Sequence, residues 1–118
     1  MKINLIEYFE QTVKRIPDKT AVISGTNKIS FSDLHIKSLL IAQNIIALCN
    51  STNKLIAVYL SKSTESIISD TGITYSGNIY MNLDVKTPIE RIRNIINLIQ
   101  PGLVITNDVH VSNITNPG

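Results

Sequence analysis

The sequence predicts an α/β fold, a three-layer-like arrangement of a parallel sheet flanked by helices, with a small N-terminal β-hairpin beside it. Residues 55–60 form an almost uninterrupted apolar run, which is typical of a strand buried on both faces of a parallel sheet. Further along, apolar runs at 79–84 and 103–106 enclose a segment with helical periodicity. A strand, a crossover helix and a second strand give a parallel pair.

The crossover helix is the best-defined element, and it is expected at residues 88–100. Thr87 is the expected N-cap, and Pro88 occupies the first helical position, where its missing N–H costs nothing. Pro101 and Gly102 end the helix. An apolar stripe at helical spacing is expected to form core, and its members are Ile89, Ile92, Ile95, Ile96, Leu98 and Ile99.

The N-terminal part is predicted to hold a helix followed by a β-hairpin. Apolar residues at helical spacing place the helix at about residues 3–14. Pro17 ends this helix, because the residue before a proline is disfavoured in the helical conformation. Strands at 20–24 and 28–31 then flank a turn at 25–27, which contains glycine and asparagine.

A long helix is expected after the hairpin, running to about residue 48, with Ser30 or Ser32 as its candidate N-cap. Its predicted buried face comprises Leu34, Ser38, Ile41, Ile45 and Leu48, with Ile46 beside them. The helix that follows the central strand has Ser63 or Thr64 as its candidate cap. The chain beyond the last strand is polar and is predicted to be a loop.

The composition argues against several classes of protein. A net charge of +2, with scattered lysines and arginines, is too small to indicate a nucleic acid partner. No apolar run approaches the ~18 residues of a membrane span, so no membrane partner is expected. Glu7 and Glu10 interrupt the first apolar residues, which is unlike a signal peptide. Cys49 is the single cysteine, which excludes an internal disulfide and favours a reducing, cytoplasmic location.

Several residues between 72 and 106 occur in an order and spacing that characterise a known family. They are Gly72, Gly77, Tyr80, Leu83, Asp84, the run Pro88-Ile89-Glu90-Arg91-Ile92, and Val104-Ile105-Thr106. This block resembles the early part of the AMP-forming adenylation domains, the acyl- and aminoacyl-activating enzymes that include those of nonribosomal peptide synthetases. Earlier motifs extend the resemblance over most of the chain, and they are Pro17-Asp18, Ala21-Val22, Ser30-Phe31-Ser32-Asp33-Leu34, Ile41-Ala42 and Ser63-Thr64-Glu65.

Two stretches depart from the family's pattern. The helix after the central strand is strongly apolar in the family, whereas here it contains Ser69, Asp70, Thr71 and Thr74. The family's Gly-Gly-Ala-Tyr-Val-Pro-Leu-Asp turn reads Gly-Asn-Ile-Tyr-Met-Asn-Leu-Asp at 77–84, without the second glycine and the proline. A buried aspartate without a partner is costly. Either this helix is more exposed than in the family, or the sequence has drifted.

The resemblance implies that residues 1–118 are a single domain unit, the N-terminal part of an adenylation domain. ATP and magnesium are implied for the full-length family, in which a carboxylate attacks the α-phosphate, pyrophosphate leaves and an acyl-adenylate forms. The remainder of the domain and a carrier protein are the implied partners. The family's phosphate loop, nucleotide-binding acidic residues and catalytic lysine have no counterpart here, so no catalytic, cofactor-binding or metal residue is expected and the chain should not catalyse alone.

Two other functional readings stay open. A non-enzymatic scaffold or protein-interaction module derived from the family is the main alternative. A flavodoxin-like regulator would need an acidic cluster at the strand ends, and only Asp84 and Asp108 lie near such positions. A reading frame that continues into a Thr-Ser-Gly-rich loop with a lysine would favour the enzyme.

The context of the chain gives two further expectations. Because the first helix follows Met1 at once, a stand-alone or chain-initiating enzyme is expected. A truncated sheet leaves an open edge and uncovered apolar side chains, so self-association through that edge or an Ile-rich helix face is expected. A monomer in which residues 108–118 fold over the edge is the alternative.

Individual polar residues receive mostly structural interpretations. His35 and His110 lack a cysteine or aspartate at ligand spacing and are expected on the surface. Cys49 is expected to act as a small apolar residue. Asp84 could bind a metal or a ribose, since ligands favour the carboxyl ends of parallel strands, but it more readily fixes the turn before the crossover helix. Glu90-Arg91 is either solvated or paired with other segments of the full enzyme.

Overall fold

The computed structural model describes residues 5–49 and 51–115 and confirms the predicted α/β class. In chain order the elements are α1 (Leu5–Arg15), β1 (Thr20–Ser24), β2 (Asn27–Ser30), α2 (Phe31–Cys49), β3 (Leu55–Val58), α3 (Thr64–Tyr75), β4 (Ile79–Asn82), α4 (Ile89–Ile99), β5 (Leu103–Ile105) and α5 (Val111–Thr115). The helix predicted at 3–14 begins outside the described residues and is confirmed from its third position onward.

The central sheet consists of three parallel strands, as predicted, and their order is β4-β3-β5. The predicted pairing of the two strands that flank the crossover helix is wrong, because β3 lies between β4 and β5 and pairs with both. In the middle strand, Ile56 is paired with Tyr80 on one side and with Leu103 on the other. The side chains from Ile56 to Tyr59 are at most 1% exposed, which confirms that the apolar run is buried on both faces.

Two apolar clusters cover the two faces of β3, because neighbouring side chains of a strand point to opposite faces. One cluster joins the sheet to α2 and α3, and its buried members are Ile45, Ile56, Val58 and Ile73. The other joins the sheet to α4, and its buried members are Ala57, Tyr59, Leu83 and Ile92. This gives the expected layers of helix, sheet and helix.

The predicted hairpin is present as an antiparallel pair of β1 and β2. Its turn contains Gly25 at a φ of +60°, a left-handed conformation that glycine adopts at little cost. The hydroxyl of Ser30 accepts a hydrogen bond from the backbone N–H of Asp33 at 3.1 Å. Of the two candidate caps of α2, Ser30 is therefore the one used.

Helices α2 and α3 approach each other most closely at Gly72. A Cβ atom at this position would lie 2.6 Å from Cγ2 of Ile41 and 2.9 Å from the carbonyl oxygen of Ser38. Both distances are shorter than van der Waals contact, so the observed packing of the two helices requires glycine here.

The predicted buried face of α2 is partly wrong. Leu34, Ser38 and Ile45 are buried and Ile41 is partly buried, but Ala42 completes the buried row in place of Leu48, and Leu48 is 75% exposed. Ile46 is exposed as well. At about 100° per residue, Ile46 and Leu48 point about 80° to either side of Ser38, which is fully buried.

The predicted core stripe of α4 is also wrong at its edges. Ile92 is 1% exposed, and Ile95 and Ile96 pack partly buried beside it. Leu98 is 86% exposed, and Ile89 and Ile99 are exposed too. The cluster beneath α4 therefore covers only the middle of the stripe. At about 100° per residue, Leu98 points about 120° away from Ile92, and Ile89 and Ile99 are the two end residues of the helix.

The start of α4 lies one residue later than predicted. Pro88 is the N-cap itself, and the first helical residue is Ile89. Thr87 does not cap the helix, because its backbone N–H is bound to the carbonyl oxygen of Asp84 at 3.0 Å, which keeps Thr87 in the preceding turn.

The terminal loop predicted beyond β5 is wrong for the five residues of α5. Nε of Arg93 donates to the carbonyl oxygen of Asn113 at 2.8 Å, and Nδ2 of Asn113 donates to the hydroxyl of Tyr59 at 3.2 Å. A helix of this length is unstable by itself, so these tertiary contacts hold it in place. The alternative monomer, in which residues 108–118 cover a sheet edge, involves residues that fall partly outside the described part of the chain.

Candidate functional site

A groove of about 780 Å³ lies at the carboxyl ends of β3 and β4, and we name it the strand-end groove. The hairpin and the first turns of α3 form its other walls. Its lining includes Val22, Ile23, Leu60, Lys62, Ser63, Ile67, Asp70, Asn82, Asp84 and Lys86. In open parallel sheets, this end of the strands is where ligands usually bind.

The first turn of α3 is closed by a capping box. The Ser63 hydroxyl accepts the backbone N–H of Ser66 at 3.3 Å, and the Ser66 hydroxyl accepts the backbone N–H of Ser63 at 3.0 Å. Ser63, rather than Thr64, is therefore the cap. The pKa of Glu65 is lowered below its ordinary value of 4.5. The larger cause is the hydrogen bond that its carboxylate accepts from its own backbone N–H, and the second is the hydrogen bond with the Ser63 hydroxyl.

Asp84 shapes the turn between β4 and α4, as its structural interpretation predicts. Its Oδ1 accepts the backbone N–H of Lys86 at 2.9 Å, and its carbonyl oxygen accepts that of Thr87. In the part of the chain that the structure describes, no three His, Cys, Asp or Glu side chains come together as a group that could hold a metal ion.

Asp70 and Asn82 form a polar contact across one wall of the groove. Nδ2 of Asn82 donates to Oδ2 of Asp70 at 3.1 Å, linking α3 to the end of β4. Oδ1 of Asp70 is buried and has no hydrogen-bond partner among residues 5–49 and 51–115. Burial raises the pKa of Asp70 above its ordinary value of 3.8, and the Asn82 hydrogen bond opposes this.

This contact joins two of the positions at which the sequence departs from the family's pattern. By the resemblance described above, an apolar residue is usual in place of Asp70 and a proline in place of Asn82. The two departures are thus one local rearrangement, in which an amide provided by the strand end satisfies one oxygen of the helix carboxylate. Sequence reasoning did not connect these residues, although both were visible as departures.

Replacing Asp70 with asparagine is expected to raise the free energy of unfolding at pH 7 by about 1 kcal/mol. The folded-state pKa of Asp70 is raised, so its contribution to stability is full below the unfolded pKa and is lost as pH rises through the folded pKa. The difference between variant and wild type should therefore vanish towards about pH 3. Urea denaturation across this pH range measures it.

Glu65→Gln is the matched control for Asp70→Asn, because the pKa of Glu65 is shifted in the opposite direction. The stabilising contribution of Glu65 is present above its unfolded pKa and is lost as pH falls through its folded pKa. The Glu65 variant should therefore be less stable than wild type at pH 7, and the free energies of unfolding of the two proteins should become equal at acidic pH. A stability difference for Asp70→Asn that does not change with pH would contradict the assignment.

A second groove of about 460 Å³ lies on the other side of β3, towards β5. Its walls include Ile41, Leu60, Ile105 and Thr106. The Thr106 hydroxyl donates to the carbonyl oxygen of Tyr59 at 2.8 Å, which fixes the end of β5 against β3. The carboxyl end of β3 thus separates two grooves.

The two histidines lie in different surroundings. The prediction of a surface residue is wrong for His35, whose side chain is 26% exposed and whose Nε2 is buried 3.9 Å from Oε1 of Glu10. The His35 ring packs on the rings of Phe9 and Tyr75. The pKa of Tyr75 is raised to about 12, mainly by burial and secondly by the nearby Glu10 carboxylate. This contact holds α1 against α2 and α3. For His110 the predicted surface position is partly right: its ring is half-buried and packs on Tyr59, with the ring centroids 5.6 Å apart.

Two remaining sequence predictions concern the helix ends. Cys49 packs partly buried against the cluster of α2, α3 and the sheet, which confirms its role as a small apolar residue. Glu90 and Arg91 are both exposed on the first turn of α4.

Within residues 5–49 and 51–115, none of the helices has the length and apolar character needed to cross a membrane.

Comparison with known proteins gives consistent matches over nearly the whole chain. The model of the family described as AMP-binding enzyme matches residues 9–117. Malpinin synthetase of Mortierella alpina is 28% identical over 108 residues, which is 92% of this chain and 1% of that protein. Tyrocidine synthase 1 of Brevibacillus parabrevis is 25% identical over 100 residues, 85% of this chain and 9% of that protein.

Solved structures share the fold. The nonribosomal peptide synthetase FmoA3, in its form bound to α-methyl-L-serine-AMP, superposes with a TM-score of 0.89 at 22% identity over 98% of this chain and 13% of that one. Its AMPPNP-bound form gives a TM-score of 0.86. The chain thus spans only a small part of the length of its relatives. It belongs to the AMP-binding enzyme family and corresponds to an N-terminal piece of an adenylation domain.

Proposed function

We propose that this chain is the N-terminal building unit, residues 1–118, of an enzyme that activates a carboxylate with ATP. In this reaction the carboxylate attacks the α-phosphate, pyrophosphate leaves, and an acyl- or aminoacyl-adenylate forms. The family is ATP-dependent, and magnesium would accompany the nucleotide. The family match from residue 9 to residue 117 is the observation on which this proposal rests.

The residues of this chain would provide framework rather than chemistry. The five glycines are spread along the sequence, so no loop has the glycine density that cradles phosphates. What the chain offers is a rigid sheet whose strand ends open into the strand-end groove. Polar side chains of the groove are engaged in the capping box, the Asp84 turn and the Asp70–Asn82 contact, and these interactions fix the geometry of its walls.

The exposed surface supports a larger assembly. Among the described residues, several large apolar side chains are exposed, such as Ile79 at 56% and Tyr80 at 45% on β4. We propose that the remainder of the adenylation domain covers part of this surface, and that a carrier protein accepts the acyl group. A cytoplasmic location fits the single cysteine.

The alternative function is that of a non-enzymatic interaction module, and the same exposed apolar side chains favour it. Both functions predict that the isolated chain self-associates. They differ in whether the chain contributes to adenylate formation when the rest of an adenylation domain is present.

The purified chain alone is expected to give no substrate-dependent ATP–pyrophosphate exchange above a no-enzyme control. The physical reason is that it has no phosphate-cradling loop. The measurement uses a mixture of the proteinogenic amino acids, with an intact adenylation domain of a relative as positive control. Exchange by the chain alone would contradict the assignment of a framework role.

A further inference from the structure

Helix α2 has two apolar faces, and its own fold covers only one of them. Its inner face packs on α3 and the sheet. On the opposite side, Ile36 and Leu40 are 53% and 54% exposed, and Leu39 and Ile46 flank them. A helix that is apolar all round is normally covered on all sides. The outer face of α2, defined by Ile36, Leu39, Leu40, Gln43, Ile46 and Ala47, therefore indicates a partner.

The spacing of the outer face is that of a helix-pairing seam. Ile36, Leu40, Gln43 and Ala47 follow one another at intervals of four, three and four residues. This is the alternation by which two helices bury a common seam at a shallow crossing angle. With nineteen residues, α2 is about 28 Å long, and it presents this seam over about two heptads.

The seam is complementary to itself when two copies run antiparallel. With a two-fold axis between positions 41 and 42, Ile36 lies opposite the partner's Ala47 and Leu40 lies opposite the partner's Gln43. Each bulky side chain then faces a small or flexible one, which allows close packing.

The charges of α2 favour the same orientation. Asp33 and Lys37 are its only Asp, Glu, Lys or Arg residues, and both lie in its N-terminal half. A parallel pair would bring each of them beside its own copy, so like charges would repel. An antiparallel pair separates the two N-terminal halves to opposite ends of the seam.

We propose that the outer face of α2 is a contact surface for a second copy of this chain, with the two α2 helices antiparallel across a two-fold axis. A seam of two heptads gives a dimer with a dissociation constant on the order of 1–100 µM.

Sedimentation velocity over about 1 to 300 µM tests the dimer. The wild-type chain should approach twice its mass of 13.1 kDa as concentration rises. Leu40→Lys places a charge on the seam and should raise the dissociation constant roughly 100-fold. Leu98→Lys makes the same change at an exposed site of α4 and should leave the dissociation constant unchanged. A wild-type chain that stays monomeric, or a dimer that Leu98→Lys dissociates and Leu40→Lys does not, overturns the proposal.

Cross-linking tests the orientation independently of mass. In a Cys49→Ser background, chains with Ile36→Cys and chains with Ala47→Cys are mixed in equal amounts and oxidised. The antiparallel seam predicts disulfides between the two kinds of chain, and few within either kind. Disulfides formed within each kind would indicate a parallel pair and overturn the proposal, as would the absence of cross-links in a sample that sedimentation finds dimeric.

Discussion

Replacing Gly72 with alanine is expected to lower the free energy of unfolding by about 2–3 kcal/mol. The added Cβ would lie 2.7 Å from Cβ of Ile41 and 2.9 Å from the backbone oxygen of Ser38. Neither atom is the end of a flexible side chain, so the helices α2 and α3 must separate. Urea denaturation of the variant, followed by circular dichroism, measures the loss.

The control for Gly72→Ala is the same substitution at Gly102. There the new Cβ would meet Sγ of Cys49 and Cβ of Lys54 at 3.6 Å, which is ordinary contact distance. Its effect should stay within about 0.5 kcal/mol. Adding Ile41→Ala to the Gly72 variant should restore only part of the stability, because the clash with Ser38 remains. Equal losses for the two glycines would contradict the close approach of α2 and α3.

Replacing Ile92 with alanine is expected to cost about 2–4 kcal/mol of unfolding free energy. Ile92 is fully buried in the cluster beneath α4, so truncation leaves a cavity beside Tyr59 and Leu83. Leu98→Ala removes a similar amount of apolar side chain from the same helix, but Leu98 is 86% exposed, and its cost should stay within about 0.5 kcal/mol. Both variants are measured by urea denaturation at one pH.

This pair separates two accounts of α4. If the whole apolar stripe were core within the isolated chain, the two substitutions would cost similar amounts. A loss above roughly 2 kcal/mol for Leu98→Ala would mean that this leucine is covered in solution, by another copy of the chain or by another segment.

Local patterns in the sequence predicted the parts of the fold that depend on neighbouring residues. The cap at Ser63, the turn at Asp84 and the buried run through Ile56 are all properties of a few consecutive positions. The apolar stripe of α4 was recognised as well. The predicted stripe was too wide, because at about 100° per residue Leu98 points about 120° away from Ile92, and Leu98 is exposed.

The contacts that sequence reasoning missed join distant positions. The Asp70–Asn82 hydrogen bond links two residues that are twelve positions apart, and neither one alone predicts the other. Likewise α5 is held by Tyr59, which lies 54 positions before Asn113. Local propensity gives no signal for a five-residue helix that tertiary contacts stabilise.

The central claim is that this chain is a working N-terminal unit of an adenylation domain, and segment replacement tests it most directly. The matching segment of a related synthetase's adenylation domain is replaced by residues 1–118, and substrate-dependent ATP–pyrophosphate exchange is compared with that of the domain lacking the segment. We predict that the replaced domain shows exchange and the shortened one shows none. A replaced domain that unfolds cooperatively and does not aggregate, yet exchanges no more pyrophosphate than the shortened one, would contradict the claim.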